Sequence, residues 1–291
     1  MPLTPFQATI LRLIAANRSH ESHLARASAI HAASASIRFS GDLDLFHDSE
    51  ESVAESYNRD SATLSANGFQ VRVMLSQPGF IRASVEKDGN VVLVDWARDS
   101  VWRFMPPVLV ESIGYVLHPV DLAINKVLAL GGRDEPRDWV DILYLDRRLI
   151  SLGALVFAAV GKDPGLNPSM LLELLGRKGH LQSRDLERIH FAEKPDLQAL
   201  RRQWDAALKA AKAFVAGRPA KEAGHLYLDP DSGKFFAPGA GDPYQLHPAA
   251  KGGVLPKLSD ASSAALTASA DMRKDLEMFF GAPWSASGES G

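Results

Sequence analysis

Residues 38–46 read Arg38-Phe39-Ser40-Gly41-Asp42-Leu43-Asp44-Leu45-Phe46. From Asp42 to Leu45 polar and apolar side chains alternate, which is the period of a strand with one buried face. Leu43 and Leu45 then point one way, and Asp42 and Asp44 the other. Two carboxylates side by side repel each other unless a cation lies between them. A divalent metal meets that need, and an all-oxygen donor set suits magnesium. An Asp-x-Asp by itself also fits a strand end with surface acids.

Upstream, Thr4-Pro5 supplies a cap and first turn for an amphipathic helix over 4–17, with Phe6, Ile10, Leu13 and Ile14 at helical spacing. Downstream, a helix over 49–67 stops at Asn67-Gly68. Strands follow over 69–75, 80–86 and 91–96, the last two joined by a turn at Asp88-Gly89-Asn90. Asp95 closes the third strand, where a sheet could bring it beside Asp42 and Asp44. Three carboxylates around two magnesium ions are a recurrent arrangement for nucleotidyl transfer: one ion activates the attacking oxygen, the other holds the triphosphate. From Pro119 the period becomes helical. One helix covers 120–130 and ends at Gly131-Gly132. A second starts from Asp134 as cap with Pro136 in its first turn and runs to about Leu149. Beyond 151 the pattern is mostly helical, with breaks at 161–168, 176–179 and Pro195 and a long helix from about 196 to Gly217. A short hairpin turns at Asp231-Ser232-Gly233. Residues 237–291 read as loops with one helix near 270–280.

The 291 residues contain no cysteine, which excludes disulfides, a thiol nucleophile and cysteine-ligated zinc. No apolar run is long enough to span a bilayer, and the first residues lack a secretory pattern, so a soluble cytoplasmic protein without membrane contact is expected. The net charge is −3, but it is unevenly spread. Residues 1–170 hold 16 basic and 20 acidic groups, 171–225 hold 11 and 7, and 226–291 hold 5 and 8. The middle segment is therefore the place for a polyanion to dock, and Arg201, Arg202, Lys209 and Lys212 on its long helix are either that surface or a solvated face.

A second group comprises Lys126, Arg133, Arg137, Asp138 and Asp141. Asp138 and Asp141 are i, i+3 and share a helix face. Lys126 and Asp141 are spaced as a helix–turn–helix needs to bring them together. Either they form a buried ion pair joining two helices, or Lys126 reaches a triphosphate while Asp141 orients it or acts on the acceptor.

Together the two groups resemble a known family. Arg38 to Phe46 is similar to the Arg-x-Ser-x-Asp-hydrophobic-Asp-hydrophobic motif of the AbiEii/AbiGii-type toxins, minimal nucleotidyltransferases of the DNA polymerase β superfamily. The stretch from His118-Pro119 through Leu122, Lys126, Ala129 and Arg133 to Arg137-Asp138-Trp139-Val140-Asp141 resembles that family's later lysine and Arg-Asp-x-x-Asp motifs. The likeness covers residues 22–150, about half the chain, with two motifs in order. It implies an α/β (α+β) polymerase-β-like nucleotidyltransferase core with a mixed sheet, followed by a mainly helical C-terminal domain. It further implies Mg2+ dependence, an NTP as substrate, and a toxin with a cognate antitoxin, acting on RNA such as a tRNA acceptor end. Carried over by position, Asp42, Asp44 and Asp95 bind metal. Lys126 and Asp141 take the downstream catalytic roles, and Lys126 and Arg133 meet the nucleotide. Arg38 and Ser40 brace the metal strand or contact phosphate.

One departure stands out. The family carries Gly-Gly or Gly-Ser before the metal motif, where backbone N–H groups approach the triphosphate. Here Arg26-Ala27-Ser28 occupies that place. Arg26 either offers its guanidinium to phosphate or blocks the pocket, and Ser28 could supply a hydroxyl. A relative that binds without turnover is therefore an alternative, as is NMP transfer to a protein or small-molecule hydroxyl. His23, His31 and His47 lack metal-ligand spacing, and His47 reads as a surface residue. Trp96, Trp102 and Phe104 read as core or cleft wall. The segment around His247-Pro248 and Lys251-Gly252-Gly253 could be a mobile loop over a cleft. The expected domains are a catalytic one over 1–150, a helical and partly basic acceptor-binding one over 151–225, and a loop-rich extension over 226–291.

Overall fold

The computed structural model describes residues 3–30, 38–178 and 181–256. Its elements begin with helix α1 (Pro5–Ile14), strand β1 (Ser22–Ala25), helix α2 (Arg26–Ile30), strand β2 (Asp42–His47) and helix α3 (Glu50–Ala66). Strands β3 (Gln70–Gln77), β4 (Phe80–Lys87), β5 (Asn90–Arg98), β6 (Trp102–Arg103), β7 (Val108–Val110) and β8 (Gly114–Val116) follow. Then come helices α4 (Pro119–Gly132), α5 (Pro136–Arg148), α6 (Leu152–Ala159), α7 (Pro168–Arg177), α8 (Ser183–Glu187) and α9 (Leu197–Ala216). Short strands β9 (His225–Leu228), β10 (Phe235–Phe236), β11 (Gln245–Pro248) and β12 (Ala250–Lys251) complete the order.

The chain divides into two compact units, one holding the described residues up to Ser100 with Pro107–Leu117, the other Val101–Pro106 with the described residues from His118 to Pro256. The first unit is built on a seven-stranded sheet of order β3-β4-β5-β2-β1-β8-β7. It is mixed: β2 runs parallel to β5 and β1 parallel to β8, while the other pairs are antiparallel. Asp88 and Gly89 both take positive φ, 51° and 75°. That is the backbone a two-residue hairpin turn needs to match the strand twist. At the start, Thr4 and Gln7 cap each other, the Thr4 hydroxyl accepting from the Gln7 amide at 3.1 Å and the Gln7 side chain from the Thr4 amide at 2.9 Å.

Helix α3 covers one face of this sheet. Trp96 lies on that face, edge-on to Tyr57 at 5.2 Å, its indole N–H donating to Asp60 at 2.8 Å. Asp60 is fully buried and also accepts from Arg18 at 2.6 Å and Asn17 at 2.9 Å. Leu45 is the register partner of Trp96, so Leu43 and Leu45 share its side. The intervening residues Asp42, Asp44 and Asp95 therefore share the opposite face. His47 lies on the α3 side and is fully buried, not on the surface as expected. Burial pushes its pKa down to about 3, and the nearby Arg18 and Arg59 push the same way. Strand β1, helix α2 and strands β6 to β8 are elements the sequence pattern did not indicate.

The second unit is mainly helical. Every residue of α6 is buried, which makes it the centre of this unit's core. Trp139 of α5 packs on Trp204 of α9 with ring centres 5.3 Å apart. Asp121, also fully buried, accepts from the Phe104 and Met105 amides at 2.9 Å and from Lys162 at 3.1 Å. Helices α4 and α5 thus belong here, with α6, α7 and α9, so the first unit ends at Leu117 and not near 150. The cap of α5 is Glu135, not Asp134, and α4 continues through both Gly131 and Gly132. Trp96 and Phe104 are core, but Trp102 is half exposed. The segment 237–253 is not a free loop. β11 joins β9 and β10 in a three-stranded sheet, β12 pairs with β6, and the buried His247 ring meets the Phe104 carbonyl at 2.8 Å. At Gly253, with φ 80°, an added Cβ would fall 2.2 Å from the Met105 carbonyl carbon, so the backbones touch there. His31, Gly179 and the helix expected near 270–280 lie outside the described residues. No helix among those described is long and apolar enough to cross a membrane.

Candidate active site

The parallel pairing of β2 with β5 sets Asp44 directly beside Asp95 and Asp42 beside Leu93. Two further registers extend the row: Arg82 of β4 opposes Asp95, and Ala25 of β1 opposes Asp44. One face of the sheet therefore carries, in sequence across four strands, Arg82, Asp95, Asp44 and the turn from Ala25 into Arg26. The Asp42 carboxylate lies on the same face, two residues before Asp44.

The charges are matched by arginine. Arg82 grips Asp95 through two hydrogen bonds of 2.7 Å, from Nε to Oδ1 and from Nη2 to Oδ2. Asp95, Asp42 and Asp44 together hold the Arg82 guanidinium more firmly protonated than usual, with the Asp95 hydrogen bonds contributing most. Arg26 donates from Nη1 to Asp44 Oδ1 at 2.9 Å and lays its guanidinium over the Phe46 ring at 4.9 Å. Both arginines are partly exposed, with side-chain exposures of 43% for Arg26 and 38% for Arg82, over nearly buried aspartates. The sequence reading missed Arg82. Its signal was the Asp88-Gly89 turn: counting outward from it pairs Lys87 with Asn90 and arrives at Arg82 opposite Asp95.

The remaining candidates of this unit are internal braces. Ser28 is fully buried; its hydroxyl donates to the Ala25 carbonyl at 2.9 Å and accepts from the Asp44 amide at 3.3 Å. It ties the β1 turn to β2 and presents no hydroxyl outward. Ser40 donates to the Asp42 carbonyl at 2.9 Å, and its own carbonyl accepts from Gln7 at 2.9 Å. Buried Arg38 donates to the Phe39 carbonyl at 3.1 Å.

The downstream group lies in the second unit. Lys126 of α4 donates to Asp138 at 2.6 Å and pairs with Asp141 at 3.0 Å, both on α5. Both carboxylates are fully buried and the lysine side chain is 7% exposed. Arg133 completes the cluster with Nε and Nη2 at 2.7 and 2.6 Å from Asp138. Arg137 turns to Glu135 instead, at 3.6 Å. Asp138, not Asp141, makes the shorter contact with the lysine. This is the ion pair joining two helices.

Among the described residues no three His, Asp or Glu side chains stand close enough to ligate one ion. Asp95 is turned to Arg82 and Asp44 to Arg26, so the three carboxylates share a face without closing into a cage. Their donor chemistry, carboxylate oxygens on adjacent positions, is of the kind a hard divalent cation takes, and guanidinium now supplies the charge at Asp44 and Asp95.

The family model described as "Nucleotidyl transferase AbiEii toxin, Type IV TA system" matches residues 29–223, about two thirds of the chain, and the chain belongs to that family. Among solved structures, JHP933 from Helicobacter pylori is similar at 16% identity and a TM-score of 0.46, over 72% of this chain and 90% of that one. Cid1, described as an RNA terminal uridylyl transferase, is similar at 11% identity and a TM-score of 0.29, over 98% of this chain and 91% of that one. No curated protein matches the sequence significantly.

Proposed function

We propose that the chain is a magnesium-dependent nucleotidyltransferase toxin that moves NMP from an NTP to an acceptor hydroxyl, with RNA as the acceptor. The observation that carries this reading is the register of Asp44 beside Asp95, with Asp42 on the same face, in a chain of this family. Asp42 and Asp44 would hold the cation, with Asp95 as a third ligand or as acceptor of the hydroxyl proton. The cation supplies charge neutralisation of the triphosphate when bound. Ser28 and Ser40 fix the backbone that aims the two aspartates, as their hydrogen bonds to the Asp44 amide and the Asp42 carbonyl indicate. In the net reaction the acceptor oxygen forms a bond to the α-phosphorus, and the bond to pyrophosphate breaks. Pyrophosphate leaves, and the hydroxyl proton passes to a base.

Lys126, Asp141 and Arg133 enter this reading through the motif match. Their buried mutual pairing favours a role in holding α4 against α5 over direct contact with substrate. RNA is favoured as acceptor by exposed basic side chains of the helical unit, Arg202, Lys209 and Lys212 among them. Arg201 is committed instead to the Leu181 carbonyl. A cognate antitoxin and a cytoplasmic setting follow from the family reading. Incubation with magnesium, each labelled NTP and total RNA tests the proposal: labelled RNA and released pyrophosphate are expected, and absence of both for all four NTPs overturns it.

The Arg26–Asp44 ion pair favours one second reading, a member that binds nucleotide without turning it over. Metal-dependent NTP binding by calorimetry with no pyrophosphate release would establish it.

A further inference from the structure

Arg26 has a backbone φ of 54°, in the left-handed region where glycine is at home and an arginine is strained. Such a conformation persists when surrounding contacts outweigh its cost. Here those contacts are the ion pair to Asp44 at 2.9 Å and the stacking over Phe46 at 4.9 Å. Asp44 and Phe46 are i, i+2 on β2, and Ala25, just before Arg26, is the register partner of Asp44. The strained backbone thus aims this side chain along the aspartate face. Its guanidinium takes the place at Asp44 that a cation's charge would take. Because the arginine side chain is 43% exposed, the pair is solvent-screened and exchangeable. A guanidinium also pairs bidentately with phosphate oxygens, so a phosphate-bearing ligand offers it another partner.

We propose that Arg26 is a selectivity latch: it competes with free divalent cations for Asp44 and yields to a cation that arrives with a triphosphate. The inference rests on the nucleotidyltransferase reading and deepens it. The chain then holds bare metal weakly in its resting state and assembles its site only with nucleotide. A glycine at this position would give the backbone its preferred residue and the metal an unopposed carboxylate.

The test is Mn2+ binding to the full chain at low ionic strength, followed by calorimetry and by electron paramagnetic resonance, for wild type, Arg26→Gly, Arg26→Asn and Asp44→Asn. Glycine and asparagine both tolerate positive φ, so two variants guard against a folding defect in one. Expected is Mn2+ binding roughly tenfold tighter in both Arg26 variants than in wild type, and none at this site in Asp44→Asn. Adding an α,β-methylene NTP analogue should raise Mn2+ affinity more in wild type than in Arg26→Gly. Equal Mn2+ affinity in wild type and both Arg26 variants overturns the latch. If wild type still labels RNA in that case, the nucleotidyltransferase reading stands alone. Absence of Asp44-dependent Mn2+ binding in every variant, together with absence of labelling, overturns both.

Discussion

Two of the clusters that pair lysine or arginine with aspartate differ in the exposure of the cation. On the sheet of the first unit, Arg26 and Arg82 are partly exposed and cap nearly buried Asp44 and Asp95. Between α4 and α5, Lys126, its side chain 7% exposed, lies against two fully buried carboxylates. An exposed guanidinium can exchange its partner for water, metal or phosphate at small cost. A buried ammonium cannot leave without stranding charge in a medium that solvates it poorly. The same residue types therefore make a replaceable counter-ion in one place and a structural rivet in the other.

The largest expected effect breaks the rivet. Lys126→Met leaves the buried Asp138 and Asp141 without the ammonium that pairs with both, and should lower unfolding free energy by about 3–5 kcal/mol in urea titrations. A loss below about 1 kcal/mol, with transfer abolished, would move Lys126 from the rivet to the substrate. Next comes acid. His47 is neutral when folded because its pKa sits near 3, whereas the unfolded chain takes up a proton below about 6.5. Its contribution is intact above that value and is lost as pH falls toward 3. The first unit should lose about 2 kcal/mol at pH 5 from this residue alone, and His47→Gln should flatten the pH dependence in that window. Smallest are the exposed partners. Arg133, with a side chain 47% exposed, should cost about 1 kcal/mol or less as Arg133→Gln. Arg82→Gln should cost no more in stability, while freeing Asp95 and tightening Mn2+ binding, measured as for Arg26.

The sequence carried the pieces with local signals. The Asp42–Leu45 alternation, the Thr4 cap, the Asp88-Gly89 turn and the α4–α5 pair all follow from spacing that the chain itself displays. What it hid depends on distant partners. β1 is four residues long and buried throughout between β2 and β8, so Ser22 and His23 show no alternation to read. His47 looks polar and exposed until α3 covers it. Ser28 carries a hydroxyl that suggests a ligand, yet both its hydrogen bonds serve the backbone. Arg26 stands out in sequence as an arginine where glycine was expected. Only the structure adds that its φ is positive and that its side chain returns to Asp44.

In the proposed function Asp44 acts as a chemical group rather than a structural one. Its amide is held by Ser28 and its arginine partner is exposed, so Asp44→Asn should fold with a melting point near wild type. Transfer of labelled NMP to RNA should nevertheless fall at least a thousandfold in the presence of magnesium (roughly 4 kcal/mol or more). Labelling that persists in folded Asp44→Asn at a rate close to wild type would contradict it.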